Sequence, residues 1–207
     1  MDTQKDHWEN VYKNKKADEV SWFQPHLNQS LNLILESGIG GEAQIIDVGG
    51  GVSTLADDLL AKGFNHVTVL DISAAALGQS KKRLAEKSGQ IVWMEADILK
   101  ANLPQNTFDL WHDRAVFHFL TNLEEQKAYL NALKQSLKAG GFAVMASFSL
   151  EGPPKCSGLE VMRYSPETLS KKLGPAFSIL KTAEEHHRTP FDTCQAFIYC
   201  LFKKTSV

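Results

Sequence analysis

The chain has few cysteines, and they are far apart. Cys156, Cys194 and Cys200 are the only ones among 207 residues. Three cysteines cannot form a framework of paired disulfides, and no C-x-x-C pair favours a zinc site. The sequence therefore predicts a reduced, cytoplasmic protein without a bound metal.

The chain also has little net charge and no long apolar run. Its 22 basic and 24 acidic residues give a formal net charge of −2, so no overall field favours a nucleic acid partner. No run approaches the ~20 apolar residues of a membrane-spanning helix, and the polar N-terminal stretch lacks the apolar segment of a secretory signal. We expect neither nucleic acid nor membrane as a partner. Nothing in the sequence indicates an oligomeric state.

From residue 44 onward, short apolar runs of strand type alternate with amphipathic stretches. These stretches carry apolar residues at three- and four-residue spacing and end at glycine, which is typical of helices. Such alternation predicts a parallel sheet with helices on both faces. Two late runs joined by a short loop predict an antiparallel hairpin. The expected fold is a single α/β domain with a Rossmann-like, seven-stranded mixed sheet, mostly parallel with an antiparallel C-terminal strand. The predicted strands cover 43–48, 66–72, 89–97, 107–113, 141–149, 177–186 and 194–204.

Three consecutive glycines follow the first predicted strand in QIIDVGGGVST (44–54). A dinucleotide-binding loop needs G-x-G-x-x-G, and the third glycine position is Thr54. A P-loop is excluded because no Gly-Lys-Ser/Thr follows. Asp47 precedes the glycines, and its carboxylate would repel a pyrophosphate on the following helix N-terminus. The motif favours a ligand with a cationic group and no phosphate.

In order, these motifs resemble those of the class I S-adenosylmethionine-dependent methyltransferases over about residues 40–203. The N-terminal segment and two later segments also resemble small bacterial members of that family. The core motifs are IIDVGGGVSTLADDL, VTVLDIS, WMEADI, FDLWHDRAVFHFL and SLKAGGFAVMASF. The resemblance implies S-adenosyl-L-methionine as cofactor and S-adenosyl-L-homocysteine as product.

The resemblance implies that Asp71 accepts hydrogen bonds from the ribose hydroxyls, since a carboxylate is a charged acceptor with two oxygens. Asp97 would bind the adenine amino group, with Ile72 and Ile98 against the base. The alternative is that each aspartate only caps the following helix.

The glycine turn would approach the methionine part of the cofactor, and Asp47 would hold its ammonium group. The alternative for Gly49, Gly50 and Gly51 is a tight turn, which is compatible with binding.

Residues 1–38 are predicted to form two helices around an aromatic segment, and residues 39–207 the core. By resemblance, the N-terminal segment is a lid over the cofactor, with Trp22 among the cofactor-binding residues and Trp8, Tyr12 and Phe23 beside it. The alternative is ordinary aromatic packing.

The fourth motif is expected beside the transferred methyl group. It lacks the [DN]PP[YF] tetrapeptide of enzymes that methylate amino groups of adenine, cytosine and glutamine. His112, Asp113 and Arg114 are the candidates for catalysis or acceptor binding. Asp113 and Arg114 could instead pair or cap a short helix, and His118 is as compatible with core packing as with function.

Other polar residues are expected in loops that reach the same rim of the sheet. Arg163 or Arg188 could hold an anionic acceptor. The remaining residues of this set are Cys156, Tyr164, His186 and His187.

The leading hypothesis is in-line transfer of a methyl group to an O, N or S atom of a small-molecule acceptor. A strong catalytic signature is not expected, because positioning is the protein's main contribution to this reaction. The alternatives are a protein (lysine) methyltransferase on the same fold and a non-catalytic S-adenosylmethionine-binding protein. An NAD-dependent dehydrogenase fits less well.

Overall fold

The computed structural model describes residues 3–205. Met1 and Asp2 of the predicted lid segment, and Ser206 and Val207 of the predicted core, lie outside the described residues.

The described chain alternates strands and helices through its centre, as the apolar periodicity predicts. The helices are α1 (Thr3–Asn14), α2 (Asn28–Glu36), α3 (Leu55–Ala61), α4 (Ala74–Leu84), α5 (Leu123–Ser136) and α6 (Pro166–Leu173). The strands are β1 (Gln44–Val48), β2 (His66–Asp71), β3 (Ile91–Glu95), β4 (Phe108–Arg114), β5 (Leu137–Phe148), β6 (Lys155–Cys156), β7 (Leu159–Glu160), β8 (Phe177–Arg188) and β9 (Cys194–Lys204).

Seven strands form one mixed sheet in the order β3-β2-β1-β4-β5-β9-β8. The pairs from β3 through β5 are parallel, whereas β9 is antiparallel to β5 and to β8. Strand order reverses between β1 and β4, and in open α/β sheets ligands bind at the carboxyl ends of the strands near that reversal. The predicted fold class is confirmed.

Helices cover both faces of this sheet. Along β4, Leu110 belongs to one buried apolar cluster together with Leu59 of α3. The next residue, Trp111, belongs to a second cluster on the opposite face with Leu133 of α5. Alternating side chains on a strand point to opposite faces, so β4 is buried on both sides of the sheet.

Polar side chains cap the N-terminal ends of two helices. The Ser73 and Asn122 side chains accept hydrogen bonds from the backbone N–H groups of residues 76 and 125, and so cap α4 and α5. The expectation that the amphipathic stretches end at glycine is wrong for α5, which ends at Ser136, before Gly140. The backbone becomes extended at Leu137, which pairs with Phe108 at an irregular start of β5.

A small hairpin follows β5, outside the central alternation of strands and helices. The Pro- and Gly-rich segment LEGPPKCSG (150–158) contains β6, which forms a small antiparallel hairpin with β7. Ser157 and Gly158 make its turn with positive φ values of 51° and 79°.

Within residues 3–205, no helix combines the length and apolar character required to cross a membrane.

Candidate functional site

The glycine turn after β1 is held tightly against β2. The N–H groups of Gly49 and Gly50 donate to the carbonyl oxygen of Leu70 at 2.7 and 3.2 Å. Gly49 has a φ of +69°, and a Cβ there would lie 2.0 Å from Cγ2 of Val116. Only glycine fits this position without strain, and Gly49 also lines both cavities at this end of the sheet.

A cavity of about 890 Å³, open to solvent, lies at the carboxyl ends of the strands beside this turn. It has a polar end and an apolar, largely aromatic end. The residues predicted to bind the cofactor that line it are Gly49, Asp71, Ile72, Asp97, Ile98 and Trp22.

Asp71 ends β2 and is almost fully buried at the cavity wall. One carboxylate oxygen, Oδ1, accepts a hydrogen bond from the backbone N–H of Ser73 at 2.8 Å. Burial raises the pKa of Asp71 to about 7, although backbone hydrogen bonds from Ser73 and Gly51 oppose this rise. Asp71 therefore turns the chain into α4 and also presents a carboxyl group to the cavity.

Asp97 lies just after β3 and is partly exposed. Its Oδ1 accepts from the N–H of Leu99 at 2.9 Å, and its Oδ2 is 3.1 Å from Nζ of Lys100. The capping interpretation and the binding interpretation are thus both compatible with its position, because it caps a turn while lining the cavity.

A smaller cavity of about 460 Å³ adjoins the larger one at the glycine turn, since Gly49 lines both. Asp47, Gly49 and Gly50 line it, with Trp22 and Arg114 shared between both cavities.

Gly51 lines neither cavity. A Cβ at Gly51 would lie 2.6 Å from Oδ2 of Asp71. Gly51 leaves space for that carboxylate. The structure therefore places Gly51 behind Asp71 and not at the surface of either cavity.

His112 lies opposite Asp47 on the neighbouring strand β4. Its Nδ1 is 2.6 Å from Oδ1 of Asp47, and its Nε2 is 2.9 Å from Oγ of Ser30 on α2. Both ring nitrogens are therefore engaged, and His112 lines the smaller cavity rather than the larger one. The structure does not bring it to the apolar end where an acceptor would lie.

Arg114 reaches both cavities with its guanidinium group held on three sides. Nε donates to the Tyr199 hydroxyl at 2.9 Å and Nη1 donates to the Trp22 carbonyl at 3.0 Å. The group also lies over the Phe197 ring, 4.5 Å from its centroid. Nη2 makes no hydrogen bond within the described residues and is 3.8 Å from Oε2 of Glu185. Arg114 fixes the aromatic segment to the sheet.

Asp113 points away from both cavities. It is fully buried and accepts hydrogen bonds from the N–H groups of Val116 and Phe117 at 2.8 and 3.0 Å, and from the Tyr129 hydroxyl. Burial raises the pKa of Asp113 to about 6, against the hydrogen bond from Tyr129. These contacts match the helix-capping alternative and place Asp113 apart from the other candidates.

His118 is buried against Phe119 and Phe148, and neither ring nitrogen has a hydrogen-bond partner among the described residues. Burial lowers the pKa of His118 to about 3. The ring lines neither large cavity, which matches the core-packing alternative.

The N-terminal segment covers the larger cavity with aromatic rings. Trp8 lies edge-to-face with Trp22 and with Phe119, at centroid distances of 5.7 and 5.0 Å, and Tyr12 is 6.2 Å from Trp22. Trp8, Tyr12 and Trp22 all contribute to the cavity wall. Phe23 lines only the smaller cavity.

The later loops contribute unequally. Cys156 lies in the wall of the larger cavity, and burial raises the pKa of its thiol to about 11. His187 contacts the N-terminal segment that covers the larger cavity. Its Nε2 is 2.8 Å from the Ser21 carbonyl and its Nδ1 is 3.1 Å from the Gln24 amide nitrogen.

The other loop residues that the sequence suggested for this rim of the sheet line neither of the two cavities. Arg163 donates to the carbonyls of Leu150 and Gly152. Arg188 pairs with Asp192 at an exposed turn. His186 and Tyr164 line a separate shallow cavity near the end of β8.

Sequence reasoning missed several contributors to the walls. They come from separate elements. They include Phe148, Phe197 and Leu120 at the apolar end and Gln4 at the cover. Leu120 and Phe148 end two of the quoted motifs but were not singled out there, and Phe197 and Gln4 lie outside those motifs.

The fold and site together define a Rossmann-like protein with a glycine turn after β1, acids after β2 and β3, and a sheet that ends in antiparallel strands. This arrangement is that of a class I methyltransferase domain.

Comparisons with known proteins agree. A family model described as a methyltransferase domain matches residues 45–141. A ubiquinone/menaquinone biosynthesis C-methyltransferase, UbiE, of Coxiella burnetii is 34% identical over 111 residues, covering 51% of this chain and 43% of that protein. The chain thus aligns with less than half the length of this relative.

Two solved structures share the fold. One, from work on conversion of a disulfide bond into a thioacetal group during echinomycin biosynthesis, has a TM-score of 0.77 at 19% identity, covering 98% of this chain and 93% of that chain. The N-methyltransferase NodS of Bradyrhizobium japonicum WM9, in complex with S-adenosyl-L-homocysteine, has a TM-score of 0.73 at 17% identity, covering 95% and 97%. Residues 45–141 thus match a methyltransferase domain, and together the similarities support a class I S-adenosylmethionine-dependent methyltransferase with S-adenosyl-L-methionine as cofactor.

Proposed function

We propose that the chain transfers a methyl group from S-adenosyl-L-methionine to a small-molecule acceptor. One observation carries this proposal. The larger cavity joins the glycine turn and Asp71 at one end to an apolar aromatic wall at the other, so cofactor and acceptor would share one cavity.

The polar end fits the cofactor in chemistry. Asp71 offers a carboxylate to a ribose diol, and Asp97 lies farther along the same wall, beside Ile98, for the adenine. In the smaller cavity, Oδ2 of Asp47 is buried without a hydrogen-bond partner. An unpartnered carboxylate oxygen is costly, and an ammonium group would satisfy it.

When bound, S-adenosyl-L-methionine supplies an electrophilic methyl group on a sulfonium. The chain's own residues then orient the reactants and exclude water, which are large contributions to a displacement of this kind. Trp8 and Trp22 provide the exclusion by closing over the cavity.

The apolar end favours an acceptor with an apolar or aromatic body. Phe119, Phe148 and Phe197 form much of it. Cys156 also lies in this wall, but with a pKa of about 11 it is a poor base at neutral pH. We therefore propose an acceptor whose O, N or S atom is nucleophilic without help from a strong base. Transfer to carbon is the alternative, because the relative UbiE is by name a C-methyltransferase.

The N-terminal segment that covers the larger cavity also bears on the size of the acceptor. The α1 helix and the β6–β7 hairpin meet above the cavity, where His7 Nε2 lies 3.3 Å from Oγ of Ser157. This closure favours a small molecule over the side chain of a folded protein.

The test has two arms. Binding of S-adenosyl-L-homocysteine is measured by calorimetry and by thermal shift, with NAD as the competing ligand and Asp71→Ala as the control variant. Transfer of a labelled methyl group is then screened against thiols, phenols, amines, carboxylates, activated carbon acceptors and a protein extract. We expect binding that is lost in the variant and labelling of a small molecule. Labelling of protein alone, or binding without any transfer, would contradict the proposal.

A further inference from the structure

Asp47 and His112 form a buried contact that the methyl-transfer reaction itself does not explain. The two residues face each other in register on β1 and β4. Their side chains are 3% and 1% exposed, and Nδ1 of His112 lies 2.6 Å from Oδ1 of Asp47. A close contact of this kind between buried groups is a strong, charge-assisted hydrogen bond.

The other side of the imidazole is also fixed. Nε2 of His112 is 2.9 Å from Oγ of Ser30, which is itself fully buried on α2. Because the carboxylate accepts, Nδ1 carries a proton, and the Ser30 hydroxyl completes the ring's hydrogen bonds. The ring is thus held at both nitrogens, and Asp47 is held through it.

This arrangement engages only one of the two carboxylate oxygens of Asp47. Oδ2 of Asp47 is buried and has no hydrogen-bond partner among the described residues. It lies against the glycine turn, since a Cβ on Gly50 would be 2.5 Å from it, and both residues line the smaller cavity. A buried carboxylate oxygen without a donor costs free energy unless a ligand supplies one.

We propose that His112 is a positioning residue that fixes Asp47 so that Oδ2 receives the ammonium group at the amino-acid end of the cofactor. The inference rests on the proposed function, because it needs S-adenosyl-L-methionine as the ligand. It moves His112 from the acceptor side, where the sequence placed it, to the cofactor side. Ser30 extends the same chain of contacts to the N-terminal segment.

The test compares two ligands that differ in the group concerned. S-adenosyl-L-homocysteine carries the ammonium, whereas 5′-methylthioadenosine has the same nucleoside without the amino-acid end. The dissociation constants of both are measured by calorimetry for the wild type and for His112→Leu and His112→Asn. The asparagine amide can still donate to Oδ1 from a place close to that of Nδ1, and leucine cannot.

We expect His112→Leu to weaken S-adenosyl-L-homocysteine by about tenfold to a hundredfold, the usual range for a hydrogen bond to a charged group. Binding of 5′-methylthioadenosine should change less than about twofold. His112→Asn should restore most of the loss. Ser30→Ala, a milder change, should shift the ratio of the two constants in the same direction as His112→Leu.

The outcomes separate this inference from the proposed function. Equal weakening of both ligands in His112→Leu, or no rescue by asparagine, would overturn the positioning role while leaving cofactor binding intact. Failure of the wild type to bind S-adenosyl-L-homocysteine would instead overturn the proposed function, and the inference with it. If His112→Leu does not fold, the Ser30→Ala ratio decides.

Discussion

The carboxylate of Glu9, on the N-terminal helix, accepts a hydrogen bond from the Ser73 hydroxyl at 2.8 Å and another from the Ala75 N–H at 3.1 Å. Burial raises the pKa of Glu9, but these two hydrogen bonds, together with the hydrogen bond and charge of Lys13, outweigh it and lower the pKa overall. The α1 helix is thus attached to the first turn of α4, two residues after Asp71. The cover and the ribose end of the proposed cofactor site form one connected structure.

Asp71 gives a prediction about pH. Because burial raises its pKa to about 7, the ligand-free protein carries a protonated Asp71 at lower pH. A neutral carboxyl group is a poor acceptor for the two ribose hydroxyls. The affinity for S-adenosyl-L-homocysteine should therefore fall as pH drops below 7, by up to about tenfold per pH unit, and be flat above pH 8. Calorimetry between pH 5.5 and 8.5 measures this.

The same shift predicts the behaviour of the Asp71→Asn variant. The folded protein binds a proton on Asp71 between about pH 4 and 7, where the unfolded chain does not, so stability falls as pH rises through that window. Asparagine removes this loss. The variant should melt at a higher temperature than the ligand-free wild type at pH 8 and bind the ligand weakly at every pH. A pH-dependent affinity in this variant would assign the titration to another group.

Gly49 and Gly78 form a matched pair for substitution by alanine. A Cβ on Gly49 would meet Val116 at 2.0 Å with φ at +69°, whereas a Cβ on Gly78, within α4, meets nothing within 4 Å. Gly49→Ala should cost about 2–5 kcal/mol of folding free energy. Gly78→Ala should stabilise by about 0.5–1 kcal/mol, since alanine is the better helix former. Denaturant unfolding compares them, and equal effects would mean that the turn can rearrange.

The sheet and the cofactor end of the site were predictable from sequence because each depends on local order along the chain. Strand runs, glycine turn and acids at strand ends all follow one another at short spacing. Asp71 and Asp97 therefore fall on one cavity wall, as expected from the parallel sheet. The prediction of S-adenosyl-L-methionine as cofactor is supported by the methyltransferase domain match over residues 45–141 and by the S-adenosyl-L-homocysteine complex of a protein with the same fold. The roles of the individual residues stay predictions.

The acceptor end was not predictable in the same way. Position near the carboxyl end of β4 did not distinguish side chains that point to opposite faces of the sheet. His112 and Asp113 are neighbours, but one contacts Asp47 and the other caps the turn at Val116. Contacts such as that of Gln24 with His187 join residues far apart in sequence. Neither periodicity nor a motif encodes them, since they arise only from packing.

Asp113 gives a prediction that separates stability from catalysis. Its substitution by alanine leaves the N–H groups of Val116 and Phe117 and the Tyr129 hydroxyl without their buried acceptor. We expect a loss of about 3 kcal/mol or more in folding free energy. The dissociation constant for S-adenosyl-L-homocysteine, corrected for the folded fraction, should stay within about twofold of the wild type. Intact stability with lost methyl transfer would instead place Asp113 in the reaction.

His118 gives a prediction about acid stability. Burial lowers its pKa to about 3, so between about pH 3 and 6.5 the unfolded chain binds a proton that the folded protein does not. Its contribution to stability is therefore lost as pH falls below 6.5, by about 2 kcal/mol at pH 5. Because both ring nitrogens lack partners among the described residues, His118→Leu should be neutral or stabilising at pH 8 and clearly stabilising at pH 5. Melting temperatures at the two pH values test this. Destabilisation at both, together with lost methyl transfer, would show that the imidazole serves the site rather than the core.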